Sequence, residues 1–252
     1  MKSKTSSKSC KVAIVTGSSQ GIGAGIAEHL LNSGYFVYVT YYKNRKLALA
    51  RFNKYSNCKI LKLDITSQPS IDKAIATITS YHGRLNLLVN NAAVESPGEL
   101  ETLTLGNWHK VFEAGLFGKF QFISSALELL KIANGSIINI ASNLGNRPEY
   151  TSQIYSAMES SVLNFTKSCA INLAKYGIRV NAVNPGIVKT TLWKQLGFYD
   201  DVSFWKSARA NNPLGRICTP LDVAKVVFWL ASEDAFFLNG NEIFVNGGSH
   251  LL

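Results

Sequence analysis

The segment TGSSQGIG at residues 16–23 follows an apolar run at residues 11–16 and leads into a helical pattern at residues 21–33. Its three glycines let the backbone turn sharply and bring N–H groups close to a ligand. Because the N-terminus of a helix favours negative charge, this turn is suited to bind a diphosphate. A strand, a glycine-rich turn and a helix in this order predict the start of a dinucleotide-binding α/β fold.

Short apolar, β-branched runs alternate with helical patterns along the whole chain. Such alternation favours a parallel sheet that helices cover on both faces. We therefore predict a single-domain, doubly wound, Rossmann-like α/β fold with a seven-stranded parallel sheet over residues 11–252. Residues 1–10 are expected to form a flexible basic tail. The predicted strands are residues 11–16, 36–40, 59–64, 85–90, 136–141, 179–184 and 242–245, and the predicted helices are residues 21–33, 45–55, 70–82, 105–131, 153–176 and 221–232.

Composition restricts the class of protein further. A chain of 252 residues with 46% hydrophobic content can bury one large core. Its four cysteines show neither metal-ligand spacing nor the density of a disulfide scaffold, so we expect reduced thiols, no metal site and a cytoplasmic location. No stretch approaches the roughly 20 apolar residues that a membrane span needs, so no membrane partner is expected.

The net charge of +10 raises the question of a polyanionic partner. The basic residues are scattered along the chain and are not massed in one stripe with stacking aromatic residues. We therefore predict no nucleic-acid partner, since a dinucleotide is itself a polyanion.

Several further motifs follow in a fixed order: Asp64-Ile65, the NNAA segment at residues 90–93, Ser142 with Tyr155, and the NPG segment at residues 184–186 with Thr190. Together with the glycine-rich turn, they make the chain resemble the short-chain dehydrogenase/reductase family, in particular the 3-oxoacyl carrier-protein reductase type. The resemblance extends from about residue 11 to residue 248. It implies an NAD(P)H-dependent oxidoreductase that acts on a small molecule and assembles as a homotetramer or homodimer through its two long helices.

The same resemblance implies a set of cofactor-binding residues. Asp64 and Ile65 would contact adenine, and Asn91 and Ala92 would contact the ribose on the adenine side. Residues 187–190 would contact the nicotinamide carboxamide. The full predicted set is Gly17, Ser19, Gln20, Gly21, Ile22, Gly23, Tyr41, Lys43, Asp64, Ile65, Asn91, Ala92, Pro185, Gly186, Val188 and Thr190.

The end of the second predicted strand bears on the choice of cofactor. Family members that use NAD carry an acidic residue there, which binds the ribose 2′-hydroxyl. This chain has Tyr41 instead, followed closely by Lys43 and Arg45. Two cations and no carboxylate favour NADP(H) over NAD(H), because they can receive a 2′-phosphate. The alternative is that both cations merely cap the solvent-exposed start of a helix.

Two positions depart from the family pattern at the predicted catalytic site. The resemblance assigns Tyr155 to proton exchange with the substrate oxygen and Ser142 to a hydrogen bond with that oxygen. It also implies a lysine one helical turn after the tyrosine and an asparagine in the preceding long helix. Here Glu159 and Gly115 stand at those positions.

A carboxylate at position 159 is expected to raise the pKa of Tyr155, because it disfavours the phenolate. Reduction, in which the tyrosine donates a proton, then becomes easier than oxidation. We expect slow reduction of a carbonyl or activated C=C. Aromatic residues at positions 191–212 suggest an apolar substrate under a lid, or simply aromatic packing.

Two alternatives stay open at this stage. Glu159 and Tyr155 form an acid/base pair that would suit a non-redox isomerase, dehydratase or cyclase. The protein would instead be a catalytically silent nucleotide-binding protein if the tyrosine were no longer used, and Glu159 would then be a surface carboxylate.

Overall fold

The computed structural model describes residues 10–195 and 197–252. The predicted basic tail at residues 1–10 lies outside these residues except for Cys10. Seven parallel strands form one sheet in the order β3-β2-β1-β4-β5-β6-β7. The strands are β1 Val12–Val15, β2 Phe36–Tyr41, β3 Cys58–Lys62, β4 Leu87–Asn90, β5 Ser136–Ile140, β6 Arg179–Pro185 and β7 Glu242–Val245.

Helices cover the sheet on both faces. They are α1 Gly21–Asn32, α2 Arg45–Phe52, α3 Gln68–His82, α4 Leu105–Phe112, α5 Gly118–Ala133, α6 Gln153–Leu173, α7 Leu192–Gln195, α8 Val202–Ala210 and α9 Pro220–Leu230. Alternate residues of β1 point to opposite sides, as the pleat requires. Ala13 and Val15 pack with α1 and α9, while Val12 and Ile14 pack with α3 and α5. This arrangement confirms the predicted doubly wound fold.

Two strand predictions are too long because side chains start turns at their ends. Thr16 already belongs to the glycine-rich turn, and Asp64 accepts hydrogen bonds from the Thr66 amide and hydroxyl, which bends the chain after β3. The predicted helix at residues 153–176 changes to a 3₁₀ turn at residues 174–176, and the helix predicted at residues 45–55 ends at Phe52. Segment 191–212, where we expect a lid or aromatic packing, contains the short helices α7 and α8, and Trp193 packs there with Phe204 and Trp205.

The single long helix predicted at residues 105–131 is wrong. A π-helical turn at Glu113–Phe117 separates α4 from α5. The physical reason is close packing, because a Cβ atom on Gly118 would lie 2.7 Å from Ile65 Cγ1, and one on Gly115 would overlap the Met158 side chain. Such turns often mark functional sites. This one carries position 115, where the family asparagine is expected.

Among the described residues, no helix combines the length and the apolar character that a membrane crossing demands.

Candidate active site

The glycine-rich turn is held against the neighbouring strands by short polar side chains. Gly17 and Gly21 have φ angles of +64° and +60°, which glycine adopts readily. The Ser18 hydroxyl donates to the Val15 carbonyl at 2.7 Å and accepts from the Thr40 amide at 2.8 Å. The Gly17 amide donates to Thr40 Oγ1 at 2.9 Å. The turn is therefore a rigid cradle above β1 and β2.

The predicted ribose residue Asn91 is already engaged by this turn. Its Nδ2 donates to the carbonyls of Thr16 at 2.9 Å and Gly17 at 3.3 Å. The amides of Asn91 and Ala92 both donate to Thr16 Oγ1 at 2.9 Å. Asn91 thus ties the end of β4 to the glycine-rich turn, and its contact with a ribose stays a prediction.

The N-terminus of α1 fits an anionic ligand. Gln20 is its N-cap and makes no side-chain capping bond, and the first turn carries no acidic residue. The first N–H groups of the helix are therefore not used by its own cap. Thr190 faces this turn, since a Cβ atom on Gly21 would lie 3.5 Å from Thr190 Cβ. The structure thus brings two of the predicted cofactor segments together.

Other predicted cofactor residues are placed as follows. Ser19 is buried, and the Ile22 side chain packs on the core between the sheet and α9. The Ile65 side chain is also buried, beneath Gly118, which leaves its adenine contact a prediction.

At the end of β6, Pro185 is buried in the strand and Gly186 lies against Asn246. The Val188 side chain is in the core, and its carbonyl accepts a 2.8 Å hydrogen bond from Trp193 Nε1. Any contact of Val188 with a ligand would therefore involve its amide.

A basic cleft lies beside the end of β2. It has a volume of about 470 Å³, and its lining residues are Tyr41, Tyr42, Lys43, Arg45 and Lys62. Lys62 is the residue that the sequence analysis missed. It ends β3 and pairs with Tyr41 in the parallel ladder, which adds a third cation to the two predicted ones. Strand register is the signal that would have found it.

Ser142 and Tyr155, the two predicted catalytic residues, lie on two elements that pack against each other, the turn after β5 and the start of α6. Ser142 Oγ accepts from the Leu144 amide at 3.2 Å and caps a short 3₁₀ turn. Gly145 of that turn packs directly on the α6 backbone, since a Cβ atom there would lie 3.0 Å from the Glu159 carbonyl carbon. The serine turn is thereby docked on the first two turns of α6, which carry the half-buried Tyr155.

Glu159 is a buried group of this site. It is only 1% exposed, and its Oε2 atom has no hydrogen-bond partner among the described residues. The alternative of a surface carboxylate is therefore wrong. Position 159 lies one helical turn after Tyr155 on the same helix, close enough for its charge to influence the tyrosine hydroxyl.

A buried lysine that the sequence analysis missed completes the site. Lys119, in the first turn of α5, is 1% exposed, and its Nζ donates to the Ala92 carbonyl at 3.4 Å. In the described part of the chain it makes no ion pair within 4.0 Å. Its charge nevertheless lies near enough to act on Glu159. The available signal was a lysine one helical turn after Gly115 in an otherwise apolar stretch.

Burial and charge shift the proton affinities of these groups. Burial is the main cause that holds the pKa of Tyr155 well above its ordinary value, and the Glu159 carboxylate raises it further. Burial also raises the pKa of Glu159, against the opposing charge of Lys119. The pKa of Lys119 is lowered by burial and supported by Glu159. The pKa of Tyr155 is thus shifted in the expected direction, with burial rather than charge as its largest cause.

A second carboxylate stands beside the tyrosine. Glu95, in the loop after β4, accepts a 2.7 Å hydrogen bond from Ser152 Oγ, and burial raises its pKa. Its charge also raises the pKa values of Tyr155 and Glu159. The sequence analysis did not name Glu95 or Ser152.

Comparison with known proteins agrees with this geometry. A family model described as enoyl-(acyl carrier protein) reductase matches residues 17–250. The 3-oxoacyl-[acyl-carrier-protein] reductase FabG of Vibrio harveyi is 33% identical over 245 residues, which is 96% of this chain and 98% of that protein. L-fucose dehydrogenase of Oryctolagus cuniculus is 32% identical over 244 residues, covering 96% of this chain and 85% of the relative.

The chain belongs to the short-chain dehydrogenase/reductase family. Solved structures agree with this assignment. The structure of ElxO with NADP bound has a TM-score of 0.86 and 31% sequence identity, and the match covers 96% of this chain and 100% of that chain. A putative gluconate dehydrogenase from Agrobacterium tumefaciens has a TM-score of 0.89 and 25% identity, covering 96% of both chains.

Membership of the short-chain dehydrogenase/reductase family confirms the predicted enzyme class. The protein is an NAD(P)-dependent oxidoreductase of a small-molecule substrate. Its relation to the 3-oxoacyl carrier-protein reductases is likewise confirmed.

Proposed function

We propose that this protein is an NADPH-dependent reductase of a carbonyl or activated C=C group in an apolar small molecule. The observation that carries the proposal is the surroundings of Tyr155, since the buried Glu159 lies one helical turn away on α6, and burial together with this carboxylate raises the pKa of Tyr155. A tyrosine with a raised pKa stays protonated at neutral pH, so it is in the form that donates a proton to a developing oxyanion and not in the form that accepts one. Reduction is therefore the favoured direction.

The glycine-rich turn and the basic cleft support NADPH as the cofactor. A pyrophosphate fits the uncapped N-terminus of α1, and a 2′-phosphate fits the cleft with Lys43, Arg45 and Lys62. The cofactor supplies a hydride when bound. An NADP-bound relative with 31% identity is consistent with this preference.

The chain's own residues supply the proton and orient the substrate. The Tyr155 O–H bond breaks as its proton joins the substrate oxygen, or the enolate formed from a conjugated C=C. Ser142 Oγ donates a hydrogen bond to the same oxygen. Phe198 and Leu192, which are both partly exposed in segment 191–212, present apolar surface near the end of β6, which supports an apolar substrate.

The test is to mix the purified protein with NADPH or NADH and follow nicotinamide absorbance with ketones and enones. We expect oxidation of NADPH in preference to NADH, and a loss of about 10²–10⁴ in kcat in Tyr155→Phe. Binding of NADPH without turnover of any substrate would contradict the proposal and favour a silent nucleotide-binding protein.

A second candidate is a non-redox isomerase, dehydratase or cyclase. The observation that favours it is the buried Glu159 beside Tyr155, since adjacent acid and base groups with shifted pKa values suit proton shuffling. It would be distinguished by conversion of substrate, measured by mass spectrometry or NMR, with no change in nicotinamide absorbance.

A further inference from the structure

Two ionisable side chains of opposite sign are buried on neighbouring helices behind the candidate active site. Lys119 on α5 and Glu159 on α6 are each 1% exposed. Burying an isolated charge is strongly unfavourable, so ionised groups inside a protein require compensation. Lys119 has the Ala92 carbonyl at 3.4 Å and the nearby Glu159 carboxylate, whereas Glu159 Oε2 has no hydrogen-bond partner among the described residues.

The packing of α5 brings Lys119 to this place. Gly115 and Gly118 let the π-turn and the start of α5 press against Met158 and Ile65. The lysine amine then reaches the carboxyl edge of β4, where Ala92 is bonded to the glycine-rich turn through Thr16. The lysine amine thus lies at the carboxyl end of β4, close to the glycine-rich turn, although position 159 carries a carboxylate.

We propose that Lys119 supplies the positive charge of the catalytic site and that Glu159 transmits its effect to the Tyr155 hydroxyl, so that the three residues act together in proton transfer. This inference rests on the proposed reductase function. Glu159 is the link because it lies one helical turn after Tyr155 on α6, is as buried as Lys119, and has an Oε2 atom with no hydrogen-bond partner among the described residues. Its charge affects the proton affinity of both other residues. Lys119 is a positioning residue in this scheme, and Tyr155 is the catalytic one.

The proton transfers balance as follows. The substrate carbon gains a hydride and its oxygen gains the Tyr155 proton, which leaves a phenolate. The phenolate recovers a proton from the Glu159 carboxyl group, and the resulting carboxylate is stabilised by the Lys119 ammonium. Glu159 is protonated again from solvent before the next cycle. Burial keeps the pKa of Glu159 raised, which favours its role as a proton donor.

The pH dependence of this chain of groups has a definite sign. When the pH falls through the pKa of Glu159, its negative charge disappears and Tyr155 becomes a stronger acid, so reduction accelerates. Lys119 lowers the pKa of Glu159, so removing the lysine must move this acceleration to higher pH. Among the described residues, Glu95 also acts by its charge on both Tyr155 and Glu159, and it is held by Ser152 and affected by Glu149.

The experiment compares the pH profile of kcat for NADPH-dependent reduction in wild type, Lys119→Met, Glu159→Gln and the double variant. We expect kcat of the wild type to rise by roughly tenfold or more towards low pH, since one pKa unit is a tenfold change in proton affinity. The rise should shift to higher pH in Lys119→Met and disappear in both variants that lack Glu159. Lys131→Met changes a partly exposed lysine of the same helix that is paired with Glu128; it is the matched control and should keep the wild-type profile.

A second measurement needs no turnover. Carboxyl ¹³C NMR of glutamate-labelled protein, with the Glu159 signal identified by its loss in Glu159→Gln, should show the Glu159 titration at higher pH in Lys119→Met. If Lys119→Met does not fold, ¹⁵N NMR of the lysine amines replaces it. The pKa of Lys119 should then be lower in Glu159→Gln than in wild type, because Glu159 supports the charged form.

The outcomes separate the two proposals. An unchanged titration of each group after removal of the other would overturn the role of Lys119, as would a Lys119→Met profile identical to that of wild type. Absence of turnover with every substrate, together with shifted titrations, would instead reject the reductase function and leave the Lys119–Glu159 coupling supported.

Discussion

Gly115 of the π-turn lies directly against Met158 of α6, so that a Cβ atom at position 115 would stand 2.5 Å from Met158 Cε and 2.9 Å from Cγ. No side chain fits at position 115 while Met158 keeps this place. A packing contact between two helices thus occupies the position where the family resemblance places an asparagine.

This contact predicts that Gly115→Asn destabilises the protein by about 1–3 kcal/mol, because extra atoms enter a filled space. Combining it with Met158→Ala should cost less than the two single changes added together, since the smaller residue makes room. Urea unfolding of wild type, the two single variants and the double variant gives the four free energies of this double-mutant cycle. Strict additivity would show that the two positions do not compete for space.

Restoring the family lysine alone should fail. Glu159→Lys places a second ammonium near buried Lys119 and removes its compensating carboxylate, so we expect a loss of about 3–5 kcal/mol in the free energy of unfolding. Lys119→Met/Glu159→Lys should be more stable than Glu159→Lys, although it carries one more substitution. Chemical denaturation tests this order, and a double variant less stable than Glu159→Lys would refute it.

Lys62 should contribute to cofactor choice. Because it adds a cation to the basic cleft, Lys62→Ala is expected to weaken NADPH binding by roughly tenfold and to leave NADH binding nearly unchanged. Titration calorimetry with both nucleotides measures this. Lys46→Ala is the matched control, since this exposed lysine of α2 does not line the cleft. Equal losses for the two nucleotides would exclude recognition of a 2′-phosphate by Lys62.

The N-terminus of α9 should make the protein sensitive to acid. Asp222 completes a capping box with Thr219, and Arg216 hydrogen-bonds to its carboxylate at 2.7 and 2.9 Å, which holds the pKa of Asp222 well below its ordinary range. A lowered folded-state pKa stabilises the fold above the ordinary carboxyl pKa, and this contribution is lost as the pH falls. Asp222→Asn should therefore cost about 1 kcal/mol at neutral pH.

The difference in the free energy of unfolding between wild type and Asp222→Asn should shrink as the solution is acidified. Urea unfolding at several pH values can follow it. Asp72→Asn on α3 is a control, because that carboxylate is exposed and takes no part in this cap. A cost at Asp222 that does not change with pH would argue against this account.

Assembly through the two long helices stays a prediction from the family resemblance. Phe120 on α5 is 55% exposed and Ile171 on α6 is 81% exposed, which is unusual for large apolar side chains on adjacent helices. Phe120→Glu should lower the molar mass measured by light scattering. Tyr81→Glu on α3 alters another exposed aromatic residue and should have no such effect. A wild-type protein that is monomeric would contradict this prediction.

The order of strands, turns and helices could be predicted from the sequence because those signals are local. Positive φ angles at Gly17 and Gly21 demand glycine, and apolar runs separated by helical patterns require a parallel sheet with covered faces. Ser142 and Tyr155 follow from the same logic, since they occupy fixed places after β5 and at the start of α6.

The tertiary structure alone decided the electrostatics of the site. A lysine is normally exposed, so its place in an apolar stretch after Gly115 does not show that Lys119 shares a buried region with Glu159. The π-turn arises because Gly115 and Gly118 meet Met158 and Ile65, residues that are distant in sequence. The sequence by itself determined which fold forms and where its phenol stands. Which charges surround that phenol depended on contacts between α5, α6 and the end of β4, because burial and proximity set proton affinities and neither is a property of a single segment.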